Sequence, residues 1–313
     1  MWVMRTAVVA MWLSAAGVLA AEPSPPPMPT PLPRLERMVV VAPAETLAVM
    51  VPAEVRSAGA RVVLLPGVLG SAFSMRHITR LLEASGHAVA VIDPLGMGAS
   101  GRPLSANYSL AAQAQRVRAV LDTLGWTQVI VAGQGTSATI ALHLAAQSPT
   151  HVRGVLSMAG GPVSSQRTGG IGTVLRFARL FDNPVGRAAA RRRFAKELRA
   201  RAVRTDWLTP EVEQAYVRGV GGDLRGMLGV LHAMGEAREP EALDVVLARV
   251  KVPVRVLVGA VAVPGAPTVE QLEVLRRHVQ DVRVDTVPAT GVLLHEEVPG
   301  AVVGVIGGWG GPS

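Results

Sequence analysis

The chain has no cysteine, which excludes disulfides, thiolate metal sites, a cysteine nucleophile and a lipidated-cysteine anchor. Aromatic residues make up 4% of the sequence and charged residues 17%, against 49% hydrophobic. A chain of 313 residues with that balance can bury a large core, built from Val, Leu and Ala, and is expected to form one domain with an insertion or two. No metal site is expected either. His77, His87, His143, His151, His232 and His278 form no pair at ligand spacing backed by a carboxylate. The run Pro66-Gly67-Val68-Leu69-Gly70-Ser71 lacks the lysine and the spacing of a phosphate loop, so no nucleotide and no cofactor are expected.

What is present begins with an export pattern. Arg5 gives a positive start, Thr6 to Leu19 an apolar run too short for a comfortable span, and Val18-Leu19-Ala20 a small-residue cleavage site. Residues 1–21 read as a signal peptide and 22–35 as a Pro-rich, polyproline-like linker. The folded part is expected to be periplasmic or secreted, with no spanning segment after cleavage. An uncleaved anchor is the alternative.

Four segments further on read as strand, turn and helix in a fixed order. Arg61-Val-Val-Leu-Leu65 leads into Pro66-Gly67, and Ala88-Val-Ala-Val-Ile92 leads into Asp93-Pro-Leu-Gly96-Met-Gly98-Ala-Ser100. Tyr108 to Trp126 carries apolar residues at helical spacing with Gly125 near its end. Val129 to Ala132 is a buried-strand run, followed by Gly133-Gln134-Gly135-Thr136-Ser137 and the helix Thr139 to Ala146. In this order the segments resemble the α/β-hydrolase superfamily, from about Met38 to Gly308. The resemblance implies a mostly parallel central sheet flanked by helices, with a helical cap inserted. The expected division is 36–161 for the first part of the core, 162–241 for the cap and 242–313 for the rest.

Aligning the family's nucleophile elbow through Ala141-Leu142 puts the nucleophile position on Gly135, a turn whose backbone normally holds φ > 0. The acid position falls in Val258-Gly259-Ala260-Val261-Ala262, where no acid stands, and is assigned to Ala262. The histidine position, in Val287-Pro288-Ala-Thr-Gly291-Val292, is Val292. A serine needs a base to take its proton and an acid to orient that base, so replacement at all three positions points away from acyl transfer. A shifted reading keeps an enzyme, with Ser137 as nucleophile and His295 as base. Otherwise His295 is expected as a rim histidine with a satisfied ring, and Asp93 as a carboxylate bracing its turn through backbone N–H groups.

Between the core halves, Arg187 to Arg204 holds Arg187, Arg191, Arg192, Arg193, Lys196, Arg199, Arg201 and Arg204 against Glu197 alone, eight bases and one acid, or seven of the formal +8. This run suits a solvated cap helix, an anionic surface or an acidic protein. Nucleic acid is disfavoured by the export pattern and by the lack of interleaved aromatics. The sequence thus reads as an exported hydrolase-fold protein without hydrolytic catalysis, binding an apolar small molecule or serving as a scaffold. The candidate lining is Gly67, Val68, Gln134, Gly135, Thr136, Ser137 and Val292. Alternatives are the Ser137–His295 esterase and a structural subunit of an envelope complex.

Overall fold

The structure is a computed structural model that describes residues 28–53, 59–68, 70–165, 183–218 and 224–309. The signal-peptide region 1–21 and residues 22–27 of the linker lie outside the described residues. The first strand, β1 (Arg34–Ala42), starts inside the segment 22–35 expected to be linker. The reason is Arg34: its guanidinium pairs with Glu83 and donates to the carbonyls of Met50 (2.7 Å) and Val89 (3.1 Å), which ties the strand's start to the sheet and to the first helix.

Eight strands form one sheet in the order β1-β2-β4-β3-β5-β6-β7-β8. After β1 come β2 (Glu45–Pro52), β3 (Arg61–Leu65), β4 (Ala88–Ile92), β5 (Val129–Gln134), β6 (Val152–Met158), β7 (Val254–Gly259) and β8 (Val282–Val287). The first two strands are antiparallel and join the sheet through an antiparallel β2–β4 pair, while the remaining pairs are parallel. Parallel strands covered on both faces must be apolar at every position rather than at every other one. The Val-Val-Leu-Leu of β3 and the whole of β4 are buried accordingly.

Helices cover both faces. On one lie α2 (Leu110–Leu124) and α3 (Ser137–Gln147), whose Val117, Leu121, Ile140 and Leu144 pack with Val63, Val131 and Val155 of the sheet. On the other, α1 (Arg76–Ala84) packs Ile78 and Leu82 against Val62, Leu64 and Ile130. Helix α2 starts where the Ser109 side chain accepts from Ala112 N and stops at Gly125 with φ 63, a left-handed C-terminal residue. Between β6 and β7 come the inserted helices α4 (Pro184–Arg201), α5 (Pro210–Arg218) and α6 (Leu224–Glu236), then α7 (Leu243–Ala248). The chain ends with α8 (Val269–His278), α9 (Leu294–Glu297) and α10 (Pro299–Gly307). The mostly parallel sheet, flanking helices and helical insertion are the architecture the sequence implied.

Candidate functional site

The loops that follow β3, β4, β5, β7 and β8 lie beyond the carboxyl ends of parallel strands, where open α/β sheets place their ligands. At the end of β5 the chain turns sharply into α3. A Cβ at Gly133 would stand 2.5 Å from the Ser137 carbonyl, so only glycine lets strand and helix approach this closely. Gly135 has φ 56, and a Cβ there would meet nothing within 4 Å. Its N–H donates to Met158 O (3.0 Å) and its carbonyl accepts from Ala138 N (3.0 Å), so the turn is braced on both sides. Gln134 and Thr136 beside it are half-buried. The Gln134 side chain folds across Gly67, its Oε1 lying 1.8 Å from where a Cβ of residue 67 would be.

Ser137 is the first residue of α3 and is fully buried. Its hydroxyl donates to the carbonyl of Pro66 at 2.5 Å, a bond across 71 residues that joins the β5 and β3 loops. His295 lies in α9 with 2% exposure. Its Nε2 is 3.4 Å from the Tyr216 hydroxyl, and its Nδ1 is buried with no partner. The two side chains therefore bond to different partners and not to each other. The rim position expected for His295 is corrected: α9 folds inward beneath the cap, and burial together with Arg76 and His77 pushes the ring's pKa down to about 3.

The other assigned positions lie apart. Ala262 is exposed in the loop after β7. Val292 is 4% exposed, its side chain in the core cluster with Leu198 and Leu294, and its N–H donates to Arg201 O (3.2 Å) at the end of α4. Asp93 is 2% exposed; Oδ2 accepts from Ala99 N (2.9 Å), while Oδ1 has no partner. It braces the turn as expected, and burial pushes its pKa up to about 6.

Two residues that the sequence reading passed over hold the insertion to the core. The Glu296 carboxylate, fully buried, receives both terminal nitrogens of Arg76 (2.5 and 2.9 Å) and the hydroxyl of Tyr216 on α5. Burial raises its pKa, and Arg76 opposes the shift. Glu297 accepts from Gly291 N (3.1 Å), Val203 N (3.0 Å) and Arg204 N (2.9 Å). Tyr216 meets Phe73 edge to face at 5.7 Å, and the Arg76 guanidinium lies 4.3 Å above the Phe73 ring. In the sequence His295-Glu296-Glu297 has the look of a surface helix, because nothing local distinguishes a buried carboxylate from a solvated one.

Beside this network lies a cavity of about 360 Å³, between the β3 and β4 loops and the inner faces of α5 and α6. Its apolar wall includes Met50, Phe73, Met97, Met227, Leu231 and Met234. Of the seven residues expected to line a ligand site, Val68 lines this cavity; Gly67, Gln134, Gly135, Thr136, Ser137 and Val292 are not part of its wall. The cavity is displaced toward β2, while the Gln134 side chain covers Gly67 and the end of α4 covers Val292. Among the described residues, no group of three His, Asp or Glu side chains is placed to hold a metal ion.

A family model described as alpha/beta hydrolase fold matches residues 60–219, just over half of the chain. Among solved structures, wild-type Cfl2 from Burkholderia cenocepacia is similar at 20% identity and a TM-score of 0.71, over 88% of this chain and 95% of that one. A bacterial membrane phospholipase A, a virulence factor, is similar at 18% identity and a TM-score of 0.71, over 88% and 85%. A loop variant of the haloalkane dehalogenase DbeA from Bradyrhizobium elkanii is similar at 24% identity and a TM-score of 0.64, over 88% and 96%. At these identities the structures speak to the fold alone. The elbow after β5, the Asp93 turn, the helical insertion and the family match together identify the chain as a member of the α/β-hydrolase fold family.

Proposed function

We propose that this protein is an exported, non-catalytic α/β-hydrolase-fold protein that holds an apolar or amphipathic small molecule between core and cap. The observation that carries the reading is Gly135, left-handed at the elbow with open space where a nucleophilic side chain would extend. The positions assigned to acid and base add to it, one an exposed alanine and the other a valine packed in the core. Neither residue can orient or accept a proton. The Ser137–His295 alternative has less support, since the Ser137 hydroxyl is fully buried on a backbone carbonyl and the His295 ring meets Tyr216.

The binding half of the reading rests on the cavity. Methionines 50, 97, 227 and 234 give it an adaptable, polarizable wall. At ~30 Å³ per water-sized group, its 360 Å³ would seat about a dozen heavy atoms, at the small end of ligand pockets. Two measurements test the proposal. Purified protein is expected to leave short- and medium-chain acyl esters unhydrolysed, and turnover that disappears in Ser137→Ala would overturn the non-catalytic reading. Thermal-shift screening with medium-chain fatty acids and other amphipathic compounds of about a dozen heavy atoms is expected to yield a stabilising ligand whose effect is lost in Leu231→Trp and kept in Gly135→Leu. A ligand indifferent to Leu231→Trp, or no ligand at all, would remove the cavity from the argument.

A further inference from the structure

Helix α4 makes little use of the protein it belongs to. It starts cleanly, with Pro184 in its first turn and the Asn183 side chain accepting from Gly186 N, and it runs to Arg201. Over that length Leu198 alone is buried, while Gly186, Arg187, Ala188, Ala190, Phe194, Ala195 and Arg201 are half-covered and the other residues are exposed. A globular helix normally buries an apolar stripe of at least ~100°. Arg191, Arg192, Arg193 and Lys196 are all exposed, and among the described residues none of them has a carboxylate partner. Arg199 is tied to Glu213 of α5, which anchors the helix's C-terminal end while leaving the four cations facing solvent.

Holding four like charges within two turns costs self-repulsion, so an arrangement of this kind gains stability when a concentrated anion lies against it. We propose that α4 seats the protein on an anionic phospholipid bilayer. The distribution of the charges selects this occupant. At 3.6 residues per turn, Arg191, Arg192, Arg193 and Lys196 spread over roughly 200° of the helix circumference. A partner helix or groove would require a narrower face and an apolar seam, and α4 offers neither. A plane of lipid phosphates presents charge continuously and needs no shape match. With no apolar stripe on its exposed side the helix does not insert, so attachment is peripheral and salt-sensitive. The one large apolar side chain exposed on the helix, Val185 at 79%, is too little to anchor it.

The test is co-sedimentation of the full chain with phosphatidylcholine vesicles, with and without phosphatidylglycerol. An inserted N-terminal segment would bind both kinds alike, so the readout is the difference between them. Binding is expected to require phosphatidylglycerol and to fall away in high salt, where the screening length shrinks from ~10 Å to a few ångströms. Each basic residue near an anionic surface contributes about fivefold in affinity, so R191Q/R192Q/R193Q/K196Q is expected to bind several hundredfold more weakly. R191K/R192K/R193K keeps the charge and is expected to keep binding, which separates electrostatics from any structural role of arginine. Equal binding to both vesicle types, or undiminished binding by the glutamine variant, would overturn the proposal. So would charge-dependent retention on soluble polyglutamate with no attachment to vesicles, which would mark an acidic polymer as the partner instead.

Discussion

Alanine at position 135 isolates the backbone of the elbow from everything around it. The residue has φ 56, and an added Cβ has no neighbour within 4 Å, so the substitution introduces no clash. What remains is the cost of a left-handed conformation for an L-residue, about 1–2 kcal/mol. Against it stands the reduced freedom of the unfolded chain, a gain of about 0.4–1 kcal/mol. The net is a loss of about 1 kcal/mol. Gly133→Ala supplies the contrast two residues earlier, because its Cβ would lie 2.5 Å from the Ser137 carbonyl and 2.6 Å from Ala138 N. Both obstacles are backbone, which cannot rotate away, and the loss should exceed about 3 kcal/mol, the upper end of ordinary overpacking. Urea unfolding with a common m-value measures both. A Gly135→Ala protein as stable as the parent, or more so, would mean that the residue is not left-handed and that the elbow is misplaced. A tolerated Gly133→Ala would refute the close strand–helix approach.

Three further outcomes follow from the site and the leader. The His295 ring, at about 3 in the fold, stays neutral while the unfolded chain takes up its proton near 6.5. Its contribution to stability is therefore present above pH 6.5 and lost as the pH falls toward 3, with a slope approaching 1.4 kcal/mol per unit. Asp93, raised to about 6, acts in the opposite direction, so the measurement is the difference between parent and His295→Gln, in which Asp93 cancels. The variant should lose less stability on acidification, and parallel curves would mean that the buried ring protonates as freely as an exposed one. Removing Glu297 leaves the N–H groups of Gly291, Val203 and Arg204 without their acceptor. Gly291 N is a buried donor and the other two are part-buried; at about 1–3 kcal/mol for an unsatisfied buried donor and less for each part-buried one, Glu297→Ala should cost roughly 3 kcal/mol and open the 203–204 segment to proteolysis, with Glu297→Gln recovering part. A loss under 1 kcal/mol would show that this carboxylate does not hold the cap. Expression with the leader should yield an extracytoplasmic protein beginning at about Ala21 or Glu22 by the spacing of the cleavage pattern, and an intact Met1 on cytoplasmic protein would remove the export reading.

The strands, the elbow and the Asp93 turn were legible because their determinants are local. A strand buried on both faces declares itself as an unbroken run such as Ala88 to Ile92, and a left-handed turn as a glycine between strand and helix. The antiparallel start of the sheet was not, since β1 is an edge strand with Leu35, Met38 and Val40 exposed and lacks the alternation that marks a half-buried strand. The cap's attachment and the cavity were decided by distance in the chain. Arg76 and Glu296 are separated by 220 residues, and Tyr216 and Glu296 by 80, so neither motif nor periodicity could bring them together. A ligand site read from motif loops alone centres on Gly135. The cavity instead opens toward β2, because its walls are Met50, Met97 and Met227, side chains from three separate parts of the chain. Local sequence determines which conformations a segment can adopt; which side chains share a buried space depends on how the segments pack, and that is set by the whole tertiary structure.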